Sequence, residues 1–302
     1  PSKGDYETIE GVGHSPEPDW FYKIWLEDDN GKTYTRHNRN SEYFTGIAKY
    51  DYLGGALNID SSDHIGISVI RFGVDNIPNT TELIDNQGNI DYDRISYFSA
   101  ADYAFIFSYA SNSSVNGLAY GGNVKIIHRR IGKFAKAWGF GFDLGMQYSL
   151  DKWQFGATIK DVTTTFNAWS YNENQLQIIS QDSLLNPTPE NNLELTLPKL
   201  TIGGAYPIVL GQKTEALLEA NMIIFTGGKR HSLLTSEAFS LYPRLGLEFN
   251  YSQTIYFRMG VGNFQQIPAM DGKNNITYQP NIGIGINYKN ISLDYALTDL
   301  GD

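Results

Sequence analysis

Over residues 138–148 large apolar side chains occupy every second position. Trp138, Phe140, Phe142, Leu144, Met146 and Tyr148 alternate with Gly139, Gly141, Asp143, Gly145 and Gln147. Successive side chains of a β-strand point to opposite faces, so this segment predicts a strand with one apolar face and one face of glycine and polar groups. Residues 153–159, 200–206, 216–224, 245–251, 255–261, 282–288 and 291–297 repeat the pattern, as do 97–109 and 118–126 upstream. Segments 43–59 and 64–74 follow it less cleanly. Helix-period patterns are nearly absent, and the period-2 segments predict about twelve strands.

The connections alternate in length. Short links fall at 60–63, 111–117, 149–152, 209–213, 252–254 and 289–290, and longer ones at 75–96, 127–136, 161–198, 226–241 and 264–277. Short turns at one end and long loops at the other predict an up-and-down antiparallel barrel of the outer-membrane type. No stretch approaches the roughly 18 apolar residues of a spanning helix, but a membrane barrel carries no such stretch.

The less apolar face carries Asp102, Lys125, Asp143, Lys160, Glu215, Glu219, Arg244, Glu248, Arg258 and Asp294. A soluble small barrel turns its large apolar groups inward and its polar groups outward. Mixed charges on a glycine-rich face instead predict a narrow polar lumen filled by ion pairs. Matching faces across the 252–254 turn sets Glu248 opposite Arg258, and the 149–152 turn sets Asp143 diagonal to Lys160. The apolar face then meets lipid, with Trp138, Tyr148, Trp153, Tyr206, Tyr251 and Tyr288 as interfacial girdles. A soluble sandwich or lipocalin-like barrel, with the apolar face as its core, is the alternative.

Residues 1–42 fall outside the pattern. Segments 20–27 and 32–37 flank an Asn30-Gly31 turn and predict a polar hairpin on the long-loop, extracellular side, leaving 43–302 as the barrel. Closing the barrel calls for further strands, or for pairing by residues 1–42, because an open edge in lipid is costly.

Composition narrows the chemistry. The formal charge of −10 argues against a nucleic-acid partner, which needs a basic face. No cysteine is present, which removes thiolate ligands and nucleophiles. His14, His37, His64, His128 and His231 lack metal-ligand spacing, and no G-x-S-x-G elbow occurs. The glycines at 139, 141 and 145 lie inside a strand and open no helix, so they mark no dinucleotide loop. The oxygen-rich segment 85–93 could hold Ca²⁺ but lacks the EF-hand spacing, which favours a solvated turn. These observations predict no enzyme, no metal and no cofactor.

The long loops are too apolar for plain solvated connections. Residues 161–198 carry Phe166, Trp169, Tyr171, Leu184 and Leu185; 226–241 carry Phe239; 264–277 carry Phe264 and Ile267. Aromatic loops on a rigid barrel suit a protein partner; mutual packing as a lid is the other reading.

Residues 42–52 (Glu42-Tyr43-Phe44-Thr45-Gly46-Ile47-Ala48-Lys49-Tyr50-Asp51-Tyr52), 71–80 (Arg71-Phe72-Gly73-Val74-Asp75-Asn76-Ile77-Pro78-Asn79-Thr80), 98–104 (Phe98-Ser99-Ala100-Ala101-Asp102-Tyr103-Ala104) and 121–125 (Gly121-Gly122-Asn123-Val124-Lys125) carry a family resemblance. Residues 141–145 (Gly141-Phe142-Asp143-Leu144-Gly145) and 156–162 (Gly156-Ala157-Thr158-Ile159-Lys160-Asp161-Val162) add to it. Together they resemble the PorV/PorQ branch of FadL-like outer-membrane proteins from Bacteroidetes, over about residues 43–302. The resemblance implies a FadL-type barrel of about 14 strands in the outer membrane. It implies an accessory or shuttle subunit of type IX protein secretion, binding the C-terminal signal domain of secreted cargo and partnering the translocon channel and surface sortase. The family's Asn-Pro-Ala-Gly-like N-terminal segment and its last strand are not matched. A FadL-type transporter of hydrophobic small molecules is the competing function, disfavoured by the lumen charges.

Overall fold

The period-2 segments become one antiparallel ribbon of strands in the computed structural model. It describes residues 5–11, 19–27, 33–43, 46–84, 87–176, 179–180, 183–184, 189, 191–268, 274–288 and 291–298. The strands are β1 (Asp5–Gly11), β2 (Asp19–Glu27), β3 (Thr33–Tyr43), β4 (Ala48–Asn58), β5 (Asp63–Asn79), β6 (Ser96–Asn112), β7 (Leu118–Ile131), β8 (Ala135–Leu150), β9 (Trp153–Lys160) and β10 (Thr165–Tyr171). They continue as β11 (Ile179–Ser180), β12 (Ser183–Leu184), β13 (Leu193–Thr196), β14 (Lys199–Val209), β15 (Thr214–Thr226), β16 (Leu234–Thr235), β17 (Phe239–Tyr251), β18 (Ile255–Pro268), β19 (Asn274–Tyr288) and β20 (Ile291–Thr298). Helix among the described residues is limited to a 3₁₀ turn at Tyr92–Arg94 and one turn, α1, at Glu173–Leu176.

Each strand pairs with its sequence neighbour from β1 to β8. Strand β8 then pairs with both β9 and β10 along different halves of its length. Those two are one strand position, broken where Asp161 and Thr164 adopt left-handed backbone (φ 57° and 61°). The Val162 N–H still donates to the Phe142 carbonyl at 2.9 Å, so the break stays stitched to β8. Strands β13 and β14 form the next position, pairing with β10 and β9 respectively, and β15, β17, β18, β19 and β20 follow in order. The outer strands β1 and β20 approach with Cα atoms within 8 Å. No ladder joins them among the described residues. An even number of antiparallel steps separates them, so the two run in the same direction.

All twelve strands read from the pattern are present as β4 to β9, β14, β15 and β17 to β20. Two readings need correction. The N-terminal hairpin forms between β2 and β3, but β3 also pairs with β4 from Tyr34↔Leu57 to Tyr43↔Ala48. It therefore extends the sheet, and its Glu27 and Thr33 ends stand at the short-turn end, opposite to the expected side. The run Arg36-His37-Asn38-Arg39-Asn40 shows no apolar alternation, so backbone pairing alone places it. The long links are also shorter than expected: β7 and β8 run through the charged stretch 127–136 to a turn at 132–134, and the link 264–277 shrinks to 269–273. Ladder hydrogen bonds belong to the backbone, so charged side chains do not end a strand.

Ladder register shows which residues share a face. Directly paired residues lie on the same side. Tracing pairs from β6 to β20 puts Asp102, Lys125, Asp143, Lys160, Glu215, Glu219, Arg244, Glu248, Arg258 and Asp294 on one face. The other face holds the apolar series. Among the described residues no second layer covers either side, yet around β8 the two differ sharply in exposure. On the apolar face Trp138, Leu144 and Ile284 are 54%, 53% and 50% exposed; on the other, Ala137, Asn167 and Asp143 are 1%, 4% and 8% exposed. In a single layer that difference comes from curvature: the charged face is concave, and the apolar face is convex.

Candidate functional site

The concave face between β6 and β13 holds the densest polar cluster. Strand β8 contributes Ala137, Gly139 and Gly141 there, all buried. With nothing larger than a methyl on that row, side chains of β7 and β10 meet above it. A Cβ on Gly139 would stand 2.6 Å from the Phe166 carbonyl oxygen, closer than real Cβ atoms come.

Two ion networks use this space. Lys125 of β7 donates to Asp143 of β8 at 2.7 Å and to Asp161 at 2.5 Å. The Asp161 N–H donates to the Asp143 carboxylate at 2.9 Å, and the Thr165 hydroxyl donates to Asp161 at 2.5 Å. The left-handed turn at Asp161 is what folds its carboxylate back toward Lys125. Further toward the long-loop end, Arg129 of β7 bonds Asp102 of β6 through Nε at 2.9 Å. Its terminal nitrogen reaches both oxygens of Glu194 on β13 at 2.9 and 2.8 Å. The Trp169 indole donates to the same Glu194 at 2.9 Å, and the guanidinium lies 5.1 Å from the Trp169 ring centre. Between the networks the buried Asn167 Oδ1 has no partner.

A third network lies on β17 to β20. Glu248 faces Arg258 in the ladder, as the 252–254 turn predicts, and Arg258 Nε donates to it at 2.6 Å. Arg258 also reaches Asp294 at 2.5 Å. The expected Asp143–Lys160 pair is corrected. Asp143 is taken by Lys125, because β9 breaks one residue after Lys160; Lys160 is exposed and stands opposite Lys199.

The aromatic residues expected on loops sit mostly in strands. Phe166 lies on the convex side of β10 opposite Phe140, exposed. Trp169 and Tyr171 are on the concave side of the same strand, their rings stacked at 6.3 Å. Phe239 opens β17 and Ile267 lies near the end of β18, both exposed at the long-loop end. Phe264 of β18 is half-buried, its ring 6.3 Å from that of Tyr278. Leu184 falls in β12 and its side chain lies outside the described residues, as does Leu185 altogether. Thus Trp169, Tyr171, Phe239 and Ile267 share one end of the sheet, and Phe166 stands lower on the outer side. Arg129 and Glu194 were not singled out in the sequence; the bare Gly139–Gly141 row opposite them was the available signal. In segment 85–93, Asp91 caps the 3₁₀ turn and pairs with Arg94 at 3.1 Å.

No protein-family model matches the chain, and no curated protein matches it. Among solved structures it is similar to FpvA of P. aeruginosa in complex with iron and a heterologous pyoverdine, at 11% identity and a TM-score of 0.38. The likeness covers 98% of this chain and 48% of that one, so the chain spans about half the length of that neighbour. A likeness of this degree assigns neither family nor function.

Proposed function

We propose that this chain is the wall of an outer-membrane β-barrel that holds protein partners at its long-loop end, as an accessory or shuttle subunit of type IX secretion. The observation that carries the membrane part is the inverted sidedness: the concave face carries the charges and glycines, with Asp143 buried at its middle, and the convex face exposes Leu, Ile and Phe over strand after strand. Water penalises such a surface, whereas acyl chains do not. On β8, Trp138 and Tyr148 bracket that surface ten residues apart. At about 3.3 Å per residue and a tilt near 40° this gives roughly 25 Å of height, the thickness of the apolar band of outer-membrane barrels. The reading requires the β1 and β20 edges to be covered in the bilayer; their close approach supports it.

The secretion role rests on the PorV/PorQ resemblance and on Trp169, Tyr171, Phe239 and Ile267 standing at the same end of the sheet. Charges filling the concave face weigh against passage of hydrophobic molecules along it. Pull-down from detergent extracts is the test. Recovery of a translocon subunit or of a protein bearing a C-terminal signal domain, weakened in Trp169→Ala/Phe239→Ala, is expected. Recovery of neither overturns the secretion role, and bound hydrophobic small molecule in its place supports transport.

A further inference from the structure

The convex face changes chemistry in two successive rows near the turn at 132–134. In the first row, Tyr103, His128 and Trp138 are paired across β6, β7 and β8. The His128 ring lies 4.3 Å from that of Trp138 and 6.4 Å from that of Tyr103. Two residues nearer the turn, Arg130 and Lys136 face each other directly, both exposed. Like charges placed directly opposite destabilise a ladder, so an anion between them would relieve a built-in repulsion. Lys133 in the turn adds a third positive charge. Arg130 is held in place by donating from Nε to the Gly132 carbonyl at 3.0 Å. Among the described residues none of these three cations makes an ion pair.

The cations and Trp138 line one hollow of 860 Å³ at the rim of the sheet, with His128, Ser170, Tyr171 and Glu173 also lining it. Trp138, at its lower edge, belongs to the apolar series of the convex face. An apolar band, then aromatic rings, then cations is the order in which a bilayer presents acyl chains, interface and headgroup phosphates.

We propose that Arg130, Lys133 and Lys136, above Trp138, form a binding site for the phosphate of an anionic membrane lipid. This rests on the membrane reading of the convex face. Because Arg130 and Lys136 share a ladder pair, one phosphate between them contacts both, and the Trp138 ring packs on the first carbons of the chain beneath.

The test uses the whole chain in detergent micelles, with quenching of tryptophan by lipids brominated on the acyl chain. Subtracting the signal of Trp138→Phe isolates Trp138 from the other tryptophans. Brominated phosphatidic acid is expected to quench Trp138 at roughly tenfold lower concentration than brominated phosphatidylcholine, since each basic group at an anionic surface contributes several-fold. Arg130→Gln/Lys133→Gln/Lys136→Gln, all exposed positions, should bring the two lipids to equality, while Lys136→Arg keeps the preference. Equal quenching by both lipids in the unaltered chain overturns the headgroup site and leaves the membrane reading standing. A preference that survives in the triple variant also overturns it. Loss of the preference on adding inorganic phosphate at the lipid's concentration assigns the site to a free anion and overturns the lipid. Quenching by neither lipid overturns the membrane reading, and this site with it.

Discussion

Arg129 on β7 grips both carboxylate oxygens of Glu194 on β13, with β8 and β10 lying between them. Three strand spacings of about 4.8 Å separate the two backbones, so side chains standing upright on a flat sheet would not meet. The contact closes because the sheet bends toward them and because Ala137 and Gly139 leave the intervening row of β8 nearly bare. Curvature, the small residues and the charge network are therefore one structural feature.

The β8 glycines test that link. Gly139→Ala sets a methyl against the Phe166 carbonyl and the Asn167 side chain. Overpacking of this kind typically costs about 1–3 kcal/mol. Gly156→Ala on β9 meets nothing within 4 Å, and should be neutral or stabilise by up to about 1 kcal/mol. Comparing the unfolding midpoints of the two variants in detergent checks this; equal midpoints would contradict it.

Lys125 is the only cation bonded to Asp143 and Asp161 among the described residues. Lys125→Met leaves two carboxylates facing each other in a buried site. Removing one partner of a buried ion pair costs about 3–5 kcal/mol. Adding Asp143→Asn and Asp161→Asn removes the stranded charges, and asparagine tolerates the left-handed backbone at 161. The triple variant should recover more than half of the loss in denaturant unfolding. Absence of any recovery would show that Lys125 acts through packing alone.

On the same face, across β17 to β20, Arg258 serves two carboxylates. Exchanging Glu248 and Arg258 keeps their mutual attraction but sets a glutamate against Asp294. Each single reversal is expected to cost about 1 kcal/mol, these groups being partly exposed. The double exchange should recover only part of that until Asp294→Lys is added. A double-mutant cycle measures this, and full recovery without Asp294→Lys would mean that the Arg258–Asp294 contact contributes nothing.

The twelve strands of the alternating pattern, and which residues within them share a face, were legible in the sequence because side-chain alternation is a local property. Glu248 and Arg258 were legible for the same reason, since a tight turn fixes their register. Three things were not. Strand β3 is polar, and its place comes from backbone pairing with β4, which leaves no mark on side-chain pattern. The Asp143 partner depended on a break at Asp161, a residue that reads as an ordinary strand end. Arg129 and Glu194 are 65 residues apart and three strand positions distant, so their meeting depends on curvature that no short window contains.

The central claim is that the convex face meets acyl chains and the concave face does not. The chain has no cysteine, so Leu144→Cys, Ile284→Cys and, on the concave face, the exposed Lys160→Cys each carry a single spin label. In reconstituted vesicles, labels at 144 and 284 should relax preferentially with lipid-soluble oxygen, and the label at 160 should not. Labels at 144 and 284 that respond instead to a water-soluble nickel chelate, with oxygen favoured only at 160, would contradict the account.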